Sequence, residues 1–257
     1  MRDVTPALQK HLAGNRGFKG GRIHFDLIKN YIAGGGKLAK DCLAALLLRT
    51  TYILQREPNL AQIDGKVTII GDIHGRLHDM INFLEDTNRR NPEHDKLLFL
   101  GDYVDRGAYS WEVVAYLCCL KLERPKDVVL LRGNHETRGC TDKYGFRLQV
   151  LREYDHNIYD LTMELFDQLP IAAVVNQRIF AVHGGVTEGL SDLDKINRLH
   201  RAKEPVQGSI MEGLLWNDPF NERLAYSEDY VQNLSRHGTG FAFGYGPLTQ
   251  FLNRSGL

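Results

Sequence analysis

The spacing of hydrophobic positions changes partway along the chain, and that change sets the expected architecture. After Ile23, residues Phe25, Leu27, Ile28, Tyr31 and Ile32 share one helical face, and Gly34-Gly35-Gly36 stops the pattern. A second helix is predicted from about Ala39 to Gln55, with Cys42, Leu46, Ile53 and Leu54 among its apolar residues. Its Leu46-Leu47-Leu48 run widens the stripe, so packing on more than one neighbour is expected, and Glu57-Pro58-Asn59 ends it. From there strands and helices alternate: strand Val67–Ile70, helix Leu77–Arg90, strand Leu97–Leu100, helix Ser110–Leu122, strand Val128–Leu131. This βαβαβ order predicts parallel strands joined by right-handed crossovers. Helical spacing runs from Phe146 to Leu169 and closes at Pro170, after which Ile171–Val175 and Ile179–Val182 flank Asn176-Gln177-Arg178 as a hairpin. The expected class is α/β (α+β), one domain over residues 1–257. It comprises a loosely ordered polar arm (1–20), N-terminal helices (22–60) and a core (65–257).

Composition narrows the partners. Lys and Arg total 32, as do Asp and Glu, so net charge offers no bulk attraction for nucleic acid. No apolar run approaches the roughly 18 residues of a membrane span, and the N-terminus carries no leader pattern. The four cysteines make no C-x-x-C pair; Cys118 and Cys119 sit in an apolar stretch and are expected as buried small hydrophobes. A reducing, cytoplasmic or nuclear setting is expected. Gly34-Gly35-Gly36-Lys37 follows a helix and lacks the Gly-Lys-Ser/Thr ending, so it reads as a helix stop and not a phosphate loop.

The chemistry gathers at strand ends. Gly71-Asp72-Ile73-His74-Gly75, Gly101-Asp102-Tyr103-Val104-Asp105-Arg106-Gly107 and Gly133-Asn134-His135-Glu136 each follow an apolar run, and His183-Gly184-Gly185 follows a fourth. Ligands of parallel sheets bind beyond such ends. Asp72, His74, Asp102, Asn134 and His183 offer oxygen or imidazole nitrogen and no thiolate, a donor set for Mn, Fe or Zn. Five donors at four strand ends, with a central aspartate able to bridge, suit two ions. His135, beside Asn134, is assigned as general acid, with Asp105 holding its imidazole and Arg106 offering bidentate donors to phosphate. His11, His24, His78, His94, His156 and His200 read as surface or helix residues, Trp111 and Trp216 as packing residues, and Asp218-Pro219 as a turn in preference to a group supporting the metal ligands.

In this order the motifs resemble the PPP family of metal-dependent serine/threonine protein phosphatases, from about Arg22 to the end. The calcineurin catalytic subunit is the most similar branch, through Ile53-Leu54-Gln55-Arg56-Glu57-Pro58-Asn59-Leu60 and Leu215-Trp216-Asn217-Asp218-Pro219. The resemblance implies a calcineurin-like metallophosphoesterase, a β-sandwich core with flanking helices. Asp72, His74 and Asp102 would hold one metal, and Asp102, Asn134 and His183 the second. It also implies direct attack on phosphorus by a metal-bridging hydroxide, without a phosphoenzyme. Two departures accompany it. Where the family has a second phosphate-binding arginine, His237 precedes Gly238-Thr239-Gly240-Phe241 and Arg236 stands one position earlier. The family's later Arg-x-His-Glu/Gln segment, source of another ligand to the second metal, and a later strand segment find no counterpart before Leu257, so open sheet edges are expected.

Three functions are weighed on sequence, and Asp105-Arg106 with His183-Gly184-Gly185 favours the first. One is hydrolysis of phosphoserine and phosphothreonine in proteins, with a regulatory subunit as partner. Another is cleavage of a small phosphoester such as a dinucleoside polyphosphate. The last is a non-catalytic scaffold that keeps Arg106 for holding phosphorylated segments.

Overall fold

The computed structural model describes residues 25–90, 95–220, 230–232 and 238–257; the arm expected over 1–20, and Arg236 and His237, lie outside the described residues. Helices α1 (Phe25–Ala33) and α2 (Lys40–Leu54) come first, followed by β1 (Leu60–Ile63) and β2 (Val67–Ile70). Next are α3 (Leu77–Arg90), β3 (Lys96–Phe99), α4 (Ser110–Glu123) and β4 (Val128–Leu130). Helices α5 (Arg138–Tyr144), α6 (Phe146–Glu153) and α7 (His156–Asp167) lead to the hairpin β5 (Ala172–Val175) and β6 (Ile179–Val182). The rest holds α8 (Asp194–Asn197), α9 (Ile210–Trp216), β7 (Asp218–Pro219), β8 (Tyr230–Gln232), β9 (Phe241–Phe243) and α10 (Tyr245–Ser255).

The βαβαβ expectation holds: β2, β3 and β4 are parallel and adjacent, with Ile70 opposite Phe99 and Leu97 opposite Val128. A second sheet, β1-β5-β6, pairs β1 parallel to β5 and β5 antiparallel to β6. Side-chain alternation then builds the layers. Leu98 and Leu131 face Ala61, Ile63, Ala173, Val175 and Ala181, a dry seam between the two sheets. Leu97, Phe99, Val128 and Leu130 face the other way, onto the helices that carry Leu43, Leu46, Val113 and Phe166. The outer face of the second sheet, Leu60, Ala172 and Val174, meets Leu214, Leu215 and Phe251. The result is the expected sandwich with helices on both sides. Leu98 and Leu131 are fully buried in the seam, so truncating either to Ala costs about 2–5 kcal/mol.

Several local expectations need revision. Strand β1 has no alternating pattern of its own and is fixed from outside: Asn59 Nδ2 donates to the carbonyls of Ile196 (2.9 Å) and Leu199 (2.6 Å). The stretch from Phe146 divides into two helices, because Asp155 leaves the helical region and caps α7 by accepting from Ile158 N. Asp218-Pro219 is a strand paired with Ala242 and Phe243, not a turn. Helix α2 does pack on two neighbours, α4 and α7, but Leu46 and Leu47 do so while Leu48 turns outward. The glycine run ends α1, with Gly36 N closing on Tyr31 O. Among the described residues strands β2 and β6 each end a sheet, and Ile69 and Ile179 on them are exposed.

Candidate active site

Because β2, β3 and β4 run parallel, their carboxyl ends lie on one rim and deliver Asp72-Ile73-His74, Asp102 to Arg106, and Asn134-His135 side by side. Strand β6 delivers His183 to the same place from the second sheet. The loops are stitched together. Ile73 N and His74 N both donate to Asp102 O, and Gly75 N donates to Tyr103 O. Glu136, fully buried, accepts from Asp102 N (2.7 Å), Tyr103 N (2.8 Å) and Gly133 N (2.9 Å), clasping two loops with one carboxylate. Burial raises its pKa to about 7. Arg132 holds the base of the same loop, donating to Glu136 O, to the carbonyls of Arg201 and Lys203, and to Asp167. The sequence reading gave neither residue a role. The signal was there in a charged pair flanking Gly133-Asn134-His135 at the end of a buried strand.

Backbone strain concentrates here. Among the described residues six non-glycines have positive φ: Asn176 and Gln177 in the hairpin turn, and His74 (45°), Asp102 (55°), Asp105 (70°) and Arg106 (63°) in the site. Such backbone costs about 1–3 kcal/mol at a residue, and the bonds above hold two of these residues in it, His74 through its amide to Asp102 O and Asp102 through its amide to Glu136. Packing is equally tight, since a Cβ on Gly133 would fall on Asp102 N and Oδ1.

Asp102 is the hub. His74 Nε2 lies 3.4 Å from its Oδ2 and His183 Nε2 lies 3.3 Å from its Oδ1, with Asp72 Oδ2 3.8 Å from His74 Nε2. Backbone carbonyls set both imidazoles: His74 Nδ1 bonds Val104 O at 2.8 Å and His183 Nδ1 bonds Leu100 O at 3.1 Å, which leaves each Nε2 facing Asp102. His74 Nε2 and Asn134 Oδ1 are buried and make no hydrogen bond within the protein. Buried polar atoms without partners are costly, so two of them at the edge of a carboxylate–imidazole cluster fit a bound cation. Burial raises the Asp102 carboxyl to about 6, with the Asp72 charge adding to it, and burial lowers His74 and His183. Both imidazoles are thereby kept neutral, the form that binds metal.

His135 faces two ways. Its Nδ1 lies 2.7 Å from Asp105 Oδ2, and its Nε2 lies 3.9 Å from Asp102 Oδ2 and 3.3 Å from Arg106 Nη2. The Asp105 carboxylate makes Nδ1 the donor, so in the neutral ring Nε2 accepts from Arg106. Burial opposes the imidazolium, but the bond to Asp105 and the charges of Asp102 and Asp105 outweigh it and raise the pKa. A guanidinium at Nε2 suits an anion held between the two groups better than a second cation. Tyr144, which the sequence reading passed over, packs its ring 5.0 Å from the His135 ring with Arg106 5.9 Å away. The sequence-chosen Asp72, His74, Asp102, Asp105, Arg106, His135 and His183 are thus brought together, and Asn134 adjoins them through His135 N, which donates to Asp102 Oδ1 at 3.0 Å.

Residues 65–257 match the family model described as calcineurin-like phosphoesterase. The chain is 38% identical over 237 residues to the serine/threonine-protein phosphatase 4 catalytic subunit of Saccharomyces cerevisiae, covering 91% of this chain and 74% of that protein. It is 35% identical over 247 residues to the serine/threonine-protein phosphatase 2B catalytic subunit A1 of the same yeast, covering 93% of this chain and 44% of that protein. Among solved structures, a protein serine/threonine phosphatase from Saccharomyces cerevisiae with similarity to human phosphatase PP5 superimposes with a TM-score of 0.78 at 28% identity, over 89% of this chain and 73% of that one. With its sandwich, its strand-end motifs and these relatives, the chain belongs to the calcineurin-like phosphoesterase family, among the serine/threonine-protein phosphatases.

Proposed function

We propose that the chain hydrolyses phosphoserine and phosphothreonine in proteins at a two-metal centre, with Mn, Fe or Zn as the ions. The observation that carries this reading is the joining of an oxygen–imidazole cluster around Asp102 to the Asp105–His135–Arg106 group on its flank. Asp72, His74 and Asp102 would hold one ion, and Asp102, Asn134 and His183 the other. When bound, such ions supply Lewis acidity toward phosphoryl oxygens and an activated water. The protein's own groups do the rest. Arg106 holds the phosphate by paired N–H donors, and His135 Nε2–H gives its proton to the departing seryl or threonyl oxygen. Asp105 steadies the imidazolium, and Glu136 keeps both loops in register. Arg236 and His237 remain candidates for a second phosphate contact.

A phosphoprotein substrate agrees with the relatives, which are named serine/threonine-protein phosphatases. Both named yeast relatives are catalytic subunits, which supports a regulatory subunit as partner here. All four cysteines are free and buried, in keeping with a cytoplasmic or nuclear setting. The test is metal content per chain together with Mn²⁺-supported hydrolysis of a phosphopeptide, run beside a dinucleoside polyphosphate. Two metals and phosphopeptide turnover support the reading. Turnover of the dinucleotide alone moves the activity to small phosphoesters, and no turnover of either leaves a phosphate-holding scaffold.

A further inference from the structure

A cleft of about 410 Å³ adjoins the site, lined by His74 to Asp79 on one side and Arg106 to Tyr109 on the other. It shares His74 and Arg106 with the site, so a polypeptide whose phosphate rests on Arg106 has this cleft next to it. Tyr109 is 42% exposed, and its ring meets the exposed His78 edge-to-face at 5.1 Å between centroids, which makes one wall aromatic. That wall is fixed relative to the chemistry. Tyr109 N donates to Gly75 O, and a Cβ on Gly107 would fall on His74 O, so the two loops are in backbone contact.

Charge selects the occupant. Arg76 pairs with Asp79 at 3.6 Å, and Arg106 is committed to phosphate in the function proposed above. That pair is exposed and screened by water, so it offers a flanking charge little net attraction of either sign, whereas an aromatic ring finds a stacking surface.

We propose that this cleft is a specificity subsite for an aromatic side chain of the substrate, lying within about three residues of the phosphorylated serine or threonine, a reach of about 10 Å, and packing on Tyr109 and His78. The inference rests on the phosphatase reading.

The experiment compares phosphopeptides that carry Phe or Ala at each of the three positions on either side of the phosphoserine, with p-nitrophenyl phosphate as a substrate lacking any flank. Wild type, Tyr109→Ala, Tyr109→Phe and His78→Ala are each measured for kcat/KM and for peptide Kd. At one or more positions wild type is expected to favour Phe about threefold to tenfold, through KM, the range of one aromatic contact. Tyr109→Ala should erase that preference, Tyr109→Phe should keep it, and all variants should act on p-nitrophenyl phosphate within about twofold of wild type. A preference that survives Tyr109→Ala overturns the proposal, as does the absence of any preference in wild type. Equal losses on peptide and p-nitrophenyl phosphate also overturn it, since Tyr109 would then act on the whole site. If wild type turns over neither substrate, the phosphatase reading fails by itself, and Kd for the Phe and Ala peptides decides the subsite.

Discussion

Asp105 reaches His135 from a left-handed backbone: at φ 70° its Oδ2 lies 2.7 Å from His135 Nδ1, while its Oδ1 accepts from Phe146 N at 2.8 Å. The carboxylate is therefore held at both oxygens, and one helix start fixes the orientation of one imidazole. A group held this way can steady an imidazolium without reorganising as charge develops.

Removing the imidazole should separate chemistry from metal binding. His135→Ala is expected to keep its metal content, by elemental analysis, and to lose at least about a hundredfold in turnover, within the usual range for a general acid. Metal loss in this variant would make His135 a ligand. Asp105→Asn removes the hydrogen-bonded carboxylate that helps raise the His135 pKa and leaves the Asp102 charge in place. Its turnover should therefore fall at lower pH than wild type on the alkaline limb, because the acid form of His135 is lost sooner.

Protons should compete with metal at Asp102. Burial raises this carboxyl to about 6, so below that pH the metal-free site holds a proton that the ion must displace. Metal affinity, measured by chelator competition, should be level above about pH 7 and fall as pH drops through 6. Asp102→Asn should bind weakly at every pH and lose that slope.

Crowding makes two neighbouring glycines very different. A Cβ on Gly133 would meet Asp102 N and Oδ1, whereas one on Gly139 in α5 meets nothing within 4 Å. Gly133→Ala should displace the hub and abolish metal binding. Gly139→Ala should leave metal binding intact and stabilise the fold by about 0.5–1 kcal/mol, the helix preference of Ala over Gly. Metal titration and urea unfolding of both variants check this.

Glu112 should govern part of the fall in stability between mildly acidic pH and pH 8. Burial, helped by the Glu153 charge, raises its pKa to about 8 from an ordinary 4.5. Between those values the native state holds a proton that the unfolded chain has released, so stability falls as pH rises through this window. Glu112→Gln cannot lose that proton. Its unfolding free energy should drop less than that of wild type between pH 5 and pH 8, by urea titration at both.

By itself the sequence determined the alternation of strands and helices and the identity of the donor groups. Period-two and period-3.6 patterns are local, and a run such as Leu97-Leu98-Phe99-Leu100 followed by Gly-Asp announces a strand that ends in a site. The parallel arrangement of β2, β3 and β4 then puts their ends on one rim, so Asp72, His74, Asp102 and His135 could be grouped before any coordinates. Tertiary structure alone decided what holds that group in shape. The left-handed backbone of His74, Asp102, Asp105 and Arg106 cannot be placed from residue type alone, and at His74 and Asp102 it is held by bonds between loops, His74 N to Asp102 O and Asp102 N to Glu136. Strand β1 was equally invisible, since its pairing with β5 joins residues more than a hundred positions apart and is anchored by Asn59. The placement of Tyr144 on His135, and of Tyr109 beside His78, depends on where one loop lies against another. Local spacing carries information about faces of elements, and contacts between loops distant in sequence are settled only when the chain packs.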